Sequence, residues 1–187
     1  MAKIGLNNFR YGILTEGQDG TATYGGAKSP GKAITCNVEI TNNDAKLYAD
    51  DVVQESDTTF ASGTVTMGVD RADYQVQADL LGHTYTENTG IERSSNDTAP
   101  YVGFGRVINL LQDNVRKYKV EFLKKVKFAE PSQEDNTKGE NVEFGTVEME
   151  GTVSTLADGT WSNSQIFDTQ AEAIEYLEEL LGTSPSH

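Results

Sequence analysis

Alternation of apolar and polar side chains is the sequence feature that most restricts how this 187-residue chain can fold. Residues 34–40 alternate without interruption, and residues 64–69 alternate in the same way. A period of two places successive side chains on opposite faces of a β-strand, with one face buried and the other in water. The β-branched residues in both runs favour the same conformation. Both runs are therefore predicted to form half-buried strands.

Two longer β-rich runs, 101–111 and 115–128, are separated by only three polar residues. Such a short polar connection between two strand-like runs indicates a β-hairpin. The alternation in the second run breaks at Leu123, which predicts a bulge or a bend. Residues 142–155 are predicted to form another strand, and 161–167 a last one.

Two segments have a helical period instead. Between residues 70 and 81 the apolar side chains recur on one helical face, and Gly82 can end the helix. Residues 168–182 have a similar face, with Asp168 as the predicted N-cap and Gly182 at the end. Together with the strands, these helices predict a mainly β protein: an antiparallel β-sandwich or partial barrel with one or two short α-helices.

The chain is long enough for one domain with its own core, so we expect a single domain over 1–187. Residues 1–32 have few consecutive apolar side chains and several glycines, which predicts an extended N-terminal arm with little core. Residues 42–62 are mostly polar and predict a long loop. A loop of that length in a compact domain is usually functional or disordered, so an assembly contact and a solvated loop both stay open.

The chain is strongly acidic. It has 15 Lys and Arg against 29 Asp and Glu, a formal net charge of −14. Neutralising phosphates requires the opposite sign, so the composition argues against nucleic-acid binding and against anionic membrane surfaces. The ordinary interpretation of this acidity is solubility before assembly. The functional alternative is a surface past which a polyanion slides.

Cysteine usage and hydropathy bear on the cellular compartment. Cys36 is the only cysteine, which excludes a disulfide within the chain and suits a reducing cytoplasm. The first residues lack the apolar run of a signal peptide. No stretch approaches the roughly 18 apolar residues needed to cross a bilayer. We therefore expect a soluble protein made in the cytoplasm, with no membrane partner.

Residues with catalytic or metal-binding chemistry are scarce. His83 follows a predicted helix, where a cation is favoured by the helix dipole, and Cys36 lies on an apolar strand face. The acidic residues near position 50 lack the spacing of a calcium loop, and zinc would need more Cys and His. Trp161 could stack on a carbohydrate, although a single tryptophan is more often core. We expect no catalytic residue, no metal ligand, no cofactor and no enzymatic activity: the function lies in the surfaces.

Four separated segments stand in an order typical of one protein family. They are KIGLNNFRY (3–11), DAKLYADD (44–51), QADLLGH (77–83) and YVGFG (101–105). In these segments the chain resembles the major tail proteins of phi13-type bacteriophages, which form the tube of long, non-contractile tails. The likeness extends from the first residues to about Phe128, and more loosely into the final helix. It is weakest at 130–141 and in the C-terminal tail.

The resemblance implies a β-sandwich of the tail-tube type that forms hexameric rings. These rings would stack into a hollow tube in the virion tail, after assembly in the host cytoplasm. The partners implied are further copies of the chain and other tail proteins, namely the tape measure, the tail terminator and the distal tail protein. DNA would only pass through the lumen, without specific binding. Contractile-tail tubes and the tube of type VI secretion share this fold.

Under this resemblance, the strands at 101–128 and 142–155 are expected to build the inner wall. The candidates for acidic side chains facing the lumen are Glu143, Glu148 and Glu150. The alternative for each of them is an ordinary wet sheet face. The arm at 1–12 and the segment 42–62 are expected to bridge adjacent rings, through the candidate contact residues Phe9, Tyr11, Leu47, Tyr48, Asp50 and Asp51.

Two other functions remain open from the sequence. One is the tube of a tailocin or a type VI-like secretion system, which is built alike but moves no genome. The other is a virion decoration or adhesive β-sandwich, which would not polymerise by itself. Self-polymerisation of the purified chain distinguishes the second from a tube protein.

Overall fold

The computed structural model describes residues 1–49, 52–131 and 146–183, with the backbone alone at 44–49 and 52–57. Within these ranges the chain forms ten strands and two helices. The elements in chain order are β1 (Ala2–Glu16), β2 (Ala22–Tyr24), β3 (Ala33–Ala49), β4 (Val52–Val69), α1 (Tyr74–Leu81), β5 (Thr84–Thr86), β6 (Gly90–Glu92), β7 (Val102–Gln112), β8 (Val115–Phe128), β9 (Val147–Val153), β10 (Ser162–Phe167) and α2 (Gln170–Leu180).

Eight of the strands form one antiparallel sheet in the order β2-β1-β7-β8-β9-β4-β3, with β10 attached to β8. The sheet forks at β8, because Tyr118–Leu123 pair with β10 whereas Val126–Phe128 pair with β9. The sheet curls until β1 and β3 lie close together, but over the described strands it does not close into a barrel. The predicted mainly β, antiparallel fold with two short helices is therefore confirmed.

The concave side of the sheet holds the larger core. Phe104 on β7 is its centre, with ring centroids 5.4 Å from Phe9 and 5.9 Å from Phe128. Fully burying one such side chain stabilises a fold by about 1.5–3 kcal/mol. The helix α1 closes one end of this core with Leu80 and Leu81. The other buried members come from five strands: Tyr11, Val65, Met67, Val69, Val102, Leu123, Val126, Met149 and Val153.

The helix α2 covers the opposite face of β7 and β8. Its buried residues Ala173, Leu177 and Leu181 pack on Val107, Val120 and Phe122. The close approach requires a glycine on β7, because a Cβ at Gly105 would overlap the Leu177 side chain. This helix gives β7 and β8 a covered surface on both sides.

The cap of α2 differs from the prediction by one residue. Thr169, not Asp168, is the N-cap, and its hydroxyl accepts a hydrogen bond from the Glu172 backbone N–H. The Glu172 carboxylate in turn accepts from the Thr169 backbone N–H, which completes a capping box. Asp168 instead pairs with Lys117 on β8. A capping box needs a Glu or Gln three residues after the N-cap. Thr169 meets this requirement with Glu172, whereas Asp168 is followed three residues later by Ala171.

The predicted loop at 42–62 is wrong. The strands β3 and β4 pair through this segment as far as Ala49 and Val52, so it is a long β-hairpin. Pairing satisfies the backbone N–H and C=O groups without any apolar side chain. The sequence of this segment does not alternate between apolar and polar residues, which is why the sequence pattern missed it.

The predicted N-terminal arm at 1–32 is also wrong in its first half. Residues 2–16 form β1, which pairs with β7 and β2. Its register shifts between Asn7 and Arg10, and Asn8 has a positive φ of 51°. This bulge interrupts the alternation and hides a strand whose C-terminal half is largely buried.

Three local predictions are confirmed. Gly82 ends α1 in the left-handed conformation, with φ 79°. Asp113 and Asn114 form the two-residue turn between β7 and β8, both with positive φ. The register along β7 shifts between the pairs Phe104–Leu123 and Val102–Val126, which is the bulge predicted at Leu123.

Candidate functional site: the open face and the long hairpin

The outer side of β9, β4 and β3 differs from that of β7 and β8. In β9, Met149 and Val153 are buried in the core, whereas Glu148, Glu150 and Thr152 on the other face are exposed. No helix in the described chain packs against this side. An accessible surface therefore remains on one half of the sheet.

Strand register defines the composition of this surface. Thr66 on β4 lies between Glu150 on β9 and Asn37 on β3. Thr64 lies in the same way between Thr152 and Glu39. Residues directly opposite in antiparallel strands share a face. We call this set the open face: Asn37, Glu39, Thr64, Thr66, Glu148, Glu150 and Thr152.

The open face is acidic and hydroxyl-rich. None of the ion pairs among the described side chains involves Glu39, Glu148 or Glu150. Glu39 accepts a hydrogen bond from the Asn37 side chain at 2.8 Å. Carboxylates without a cationic partner present their full negative charge to whatever approaches, over a range of about 8 Å at physiological salt. The open face therefore carries negative charge that no described cation neutralises.

The edge of the open face along β8 has the opposite charge. Lys127 pairs in register with Thr152, and its amino nitrogen lies 5.5 Å from the centre of the Tyr101 ring. Lys125 is 4.6 Å from the same ring and forms an ion pair with Glu16 at 2.6 Å. This basic border limits the acidic surface to β3, β4 and β9.

Two of the three predicted acidic residues lie on the open face. Glu148 and Glu150 are exposed and side by side on β9, while Glu143 lies outside the described residues. Sequence reasoning missed Glu39. The alternation in 34–40 could have predicted its exposure, because Glu39 occupies a polar position of that run and is exposed in the structure.

The expectation that the strands at 101–128 build an inner wall stays a prediction, and the burial of β7 and β8 weighs against it. The core covers one face of β7 and β8, and α2 covers the other. Along β7, both Phe104 and Val107 are buried, although they point to opposite sides. Only β9, within the described part of 142–155, offers the exposed polar face that a wall needs.

Phe9 and Tyr11 are not available as contacts between copies. Phe9 is fully buried against Phe104, and Tyr11 is 1% exposed. The Tyr11 hydroxyl donates a hydrogen bond to Asp79 at 3.0 Å. Burial, followed by the nearby Asp79 charge, raises the pKa of Tyr11 so that it stays a neutral donor. Both side chains stabilise the subunit itself.

Of the other four predicted contact residues, the structure describes only the backbones of Leu47 and Tyr48. The backbones of Leu47 and Tyr48 lie in β3 next to the end of the ladder. Asp50 and Asp51 lie outside the described residues, as do the side chains of Leu47 and Tyr48. The structure thus locates this segment in a hairpin without placing the side chains themselves.

The hairpin leaves the body of the sheet at a defined point. Phe60 stacks on Trp161, with ring centroids 4.7 Å apart and an interplanar angle of 9°. Beyond it, both Thr59 and its partner Asn43 are exposed. Residues 42–49 then extend by about 27 Å at the usual rise of a β-strand. The long hairpin is a projection with an aromatic anchor at its base.

A buried polar cluster joins β7, β8 and β3. The Arg106 guanidinium, 8% exposed, donates to Glu121 at 2.8 Å and to the Cys36 carbonyl at 3.0 Å. Burial raises the pKa of Glu121, but the charge and hydrogen bonds of Arg106 outweigh it and lower that pKa overall. Burial also raises the pKa of the Cys36 thiol, which disfavours the reactive thiolate. The cluster links β7, β8 and β3 and is structural.

A cleft of about 570 Å³ lies at the C-terminal end of α2. Its polar groups are engaged within the chain: the Tyr24 hydroxyl donates to the Lys124 carbonyl, and the Lys124 amino group donates to Thr160. Among the described residues, no group of three or more His, Cys, Asp and Glu side chains could hold a metal ion. No helix in the same residues is long and apolar enough to cross a membrane.

The chain matches no protein-family model, and no curated protein is similar to it in sequence.

Proposed function

We propose that this chain is the subunit of a bacteriophage tail tube, a structural protein without enzymatic activity. Its copies form hexameric rings, and the rings stack into the conduit through which DNA is ejected. The observation that supports this best is the long β3–β4 hairpin, which projects from an open, curled sheet. The hexameric state and the other tail proteins as partners come from the sequence resemblance.

The sheet edges support lateral assembly. β3 is the last strand of the sheet, and among the described strands its outer edge has no partner. An unpaired edge presents a row of backbone N–H and C=O groups to other chains. A neighbouring copy that pairs there continues the sheet from one subunit to the next. Such a heterologous contact closes into a ring when the rotation that relates neighbouring copies is a whole fraction of 360°.

The hairpin supports the axial contact. It extends about 27 Å beyond its Phe60 anchor, whereas a ring contact needs only the sheet edge. The long hairpin is therefore assigned to the adjacent ring. The role proposed for 42–62 is the same as the one expected from the sequence, although its structure is a hairpin instead of a loop.

The open face supports the lumen. Glu39 on β3 and Glu148 and Glu150 on β9 flank β4 in the half-sheet that ends at the free β3 edge. If neighbouring copies extend that half-sheet, the acidic surface becomes a continuous lining. Like charge then keeps DNA from adhering during passage.

Electron microscopy of a hairpin variant tests the proposal. Asp44 pairs with Thr58, so replacing residues 45–57 by Asn-Gly closes the same ladder with a two-residue turn. The full chain should form hollow rings or tubes as its concentration rises. The shortened variant should keep its circular dichroism spectrum and lose the tubes.

Each alternative outcome has a meaning. Tubes of normal length from the shortened variant would overturn the axial role of the hairpin. Discrete particles from the full chain at every concentration, even with tail initiators added, would favour a virion decoration or adhesive protein. Tubes would leave the choice between a phage tail and a tailocin or secretion tube, which depends on whether the particles contain DNA.

A further inference from the structure

His83 occupies a buried position between two carboxylates. It directly follows Gly82 at the end of α1, and its side chain is 5% exposed. The Nδ1 atom lies 2.7 Å from Asp97 Oδ2, and the Nε2 atom contacts Glu130 Oε1. Asp97 belongs to the connection between β6 and β7, whereas Glu130 follows the end of β8. The ring thus joins two segments that are distant in sequence.

Asp97 is held in place as an ionised acceptor. The Ser94 backbone N–H donates to its Oδ2 atom at 2.8 Å. This hydrogen bond, and after it the one from His83, lowers the pKa of Asp97. Asp97 therefore remains a carboxylate that can only accept hydrogen bonds at neutral and mildly acidic pH.

Glu130 is the looser of the two partners. Its side chain is 54% exposed, against 17% for Asp97. The other charged group facing it is Arg93, whose Nε atom is 4.0 Å from Glu130 Oε2. Arg93 is itself fixed to α1 by a 2.9 Å hydrogen bond to Gln77. Water can replace a lost hydrogen bond at Glu130 more easily than at Asp97.

The two contacts need two protons on the ring. A neutral imidazole has one N–H, whereas an imidazolium has two. Since both carboxylates only accept, only the imidazolium donates to both at once. We propose that His83 is a protonation-dependent clamp, which holds Asp97 and Glu130 together when charged and releases Glu130 when neutral. The proton that remains is on Nδ1, where Asp97 accepts it.

The direction of the pH effect follows from this geometry. The Glu130 contact is fully present while the ring carries two protons, and it is lost when the ring is neutral. Histidine side chains commonly titrate between pH 5 and 8. The clamp is independent of the proposed tail-tube function, because it depends only on contacts within one chain.

The test compares thermal unfolding of matched variants at pH 5.5 and pH 8.5. All are made in a His187→Asn chain, which removes the only other histidine. Glu130→Gln should lower Tm by about 3 °C at pH 5.5 and by under about 1 °C at pH 8.5. Glu92→Gln, at an exposed residue, controls for the loss of one negative charge.

Nuclear magnetic resonance of the His83 ring gives a second measurement that does not depend on stability. Both ring nitrogens should be protonated at pH 5.5, and Nδ1 alone at pH 8.5. An equal Tm change for Glu130→Gln at both pH values would overturn the clamp. So would a neutral ring with its proton on Nε2.

Discussion

The two halves of the main sheet bury different numbers of faces. The middle of β7 and β8 lies between the concave core and α2, so both faces are covered there. β9, β4 and the first part of β3 share the same core but leave their outer side in water. Packing constrains the side chains of the first half, whereas the outer side chains of the second half are accessible to other molecules. Polar residues are tolerated on the outer side of the second half because no described residue packs against them.

The largest expected effect breaks the packed half. Phe104→Ala should lower the free energy of unfolding by about 3–5 kcal/mol, since it leaves a cavity between Phe9 and Phe128. Urea denaturation of the purified chain measures this difference. Glu150→Ala on the open face is the control and should change stability by less than about 0.5 kcal/mol. Similar decreases in the free energy of unfolding for Phe104→Ala and Glu150→Ala would contradict the difference in burial between the two halves.

An intermediate effect concerns the Arg106–Glu121 pair, at the boundary of the two halves. Glu121→Gln should cost about 1–3 kcal/mol at pH 7, because it weakens the hydrogen bonds of a buried guanidinium. The pKa of Glu121 is lowered in the folded chain, so its contribution is present above the unfolded pKa. That contribution is lost as the pH falls through the folded value.

Urea titrations of both chains from pH 7 to pH 3 measure this linkage. The gap in stability between wild type and Glu121→Gln should narrow as the pH falls. A gap that stays constant to pH 3 would contradict the role of the ion pair. A gap that widens would show that the folded pKa is raised instead.

The smallest effect on stability is expected on the open face. Changing Glu39, Glu148 and Glu150 together to Lys should leave the unfolding curve within about 0.5 kcal/mol per residue of the original. The same change should create DNA binding that weakens steeply between 50 and 200 mM salt, because it depends on released counterions. Gel-shift titrations measure it, with the three Glu→Gln changes as a control. Absence of binding by the lysine variant would argue against a continuous charged surface.

The same contrast explains what the sequence could predict. The runs 34–40 and 64–69 have one buried and one wet face, so their alternation gave correct strands. The hairpin across residues 112–114 was predicted correctly because only a short polar connection separates two strand-like runs. These are local signals that depend little on distant parts of the chain.

Other features depended on contacts that no local pattern contains. The hairpin through 42–62 has no alternation to detect, and β1 is interrupted by the bulge at Asn8. The site shows the same limit. Glu148 and Glu150 were predicted from their polar positions, but Glu39 joins them only through the register of β3, β4 and β9. The environment of His83 requires Glu130, which is 47 residues away.

The stacking of Phe60 on Trp161 gives the molecule a built-in optical reporter. Trp161 is the only tryptophan, so all indole fluorescence comes from the base of the long hairpin. Its ring is half-buried, and its emission wavelength therefore depends on how much water reaches that point. A partner that packs around the hairpin base will shift the emission to the blue, and one that binds elsewhere will not. Docking at the projection can thus be followed in real time without any label.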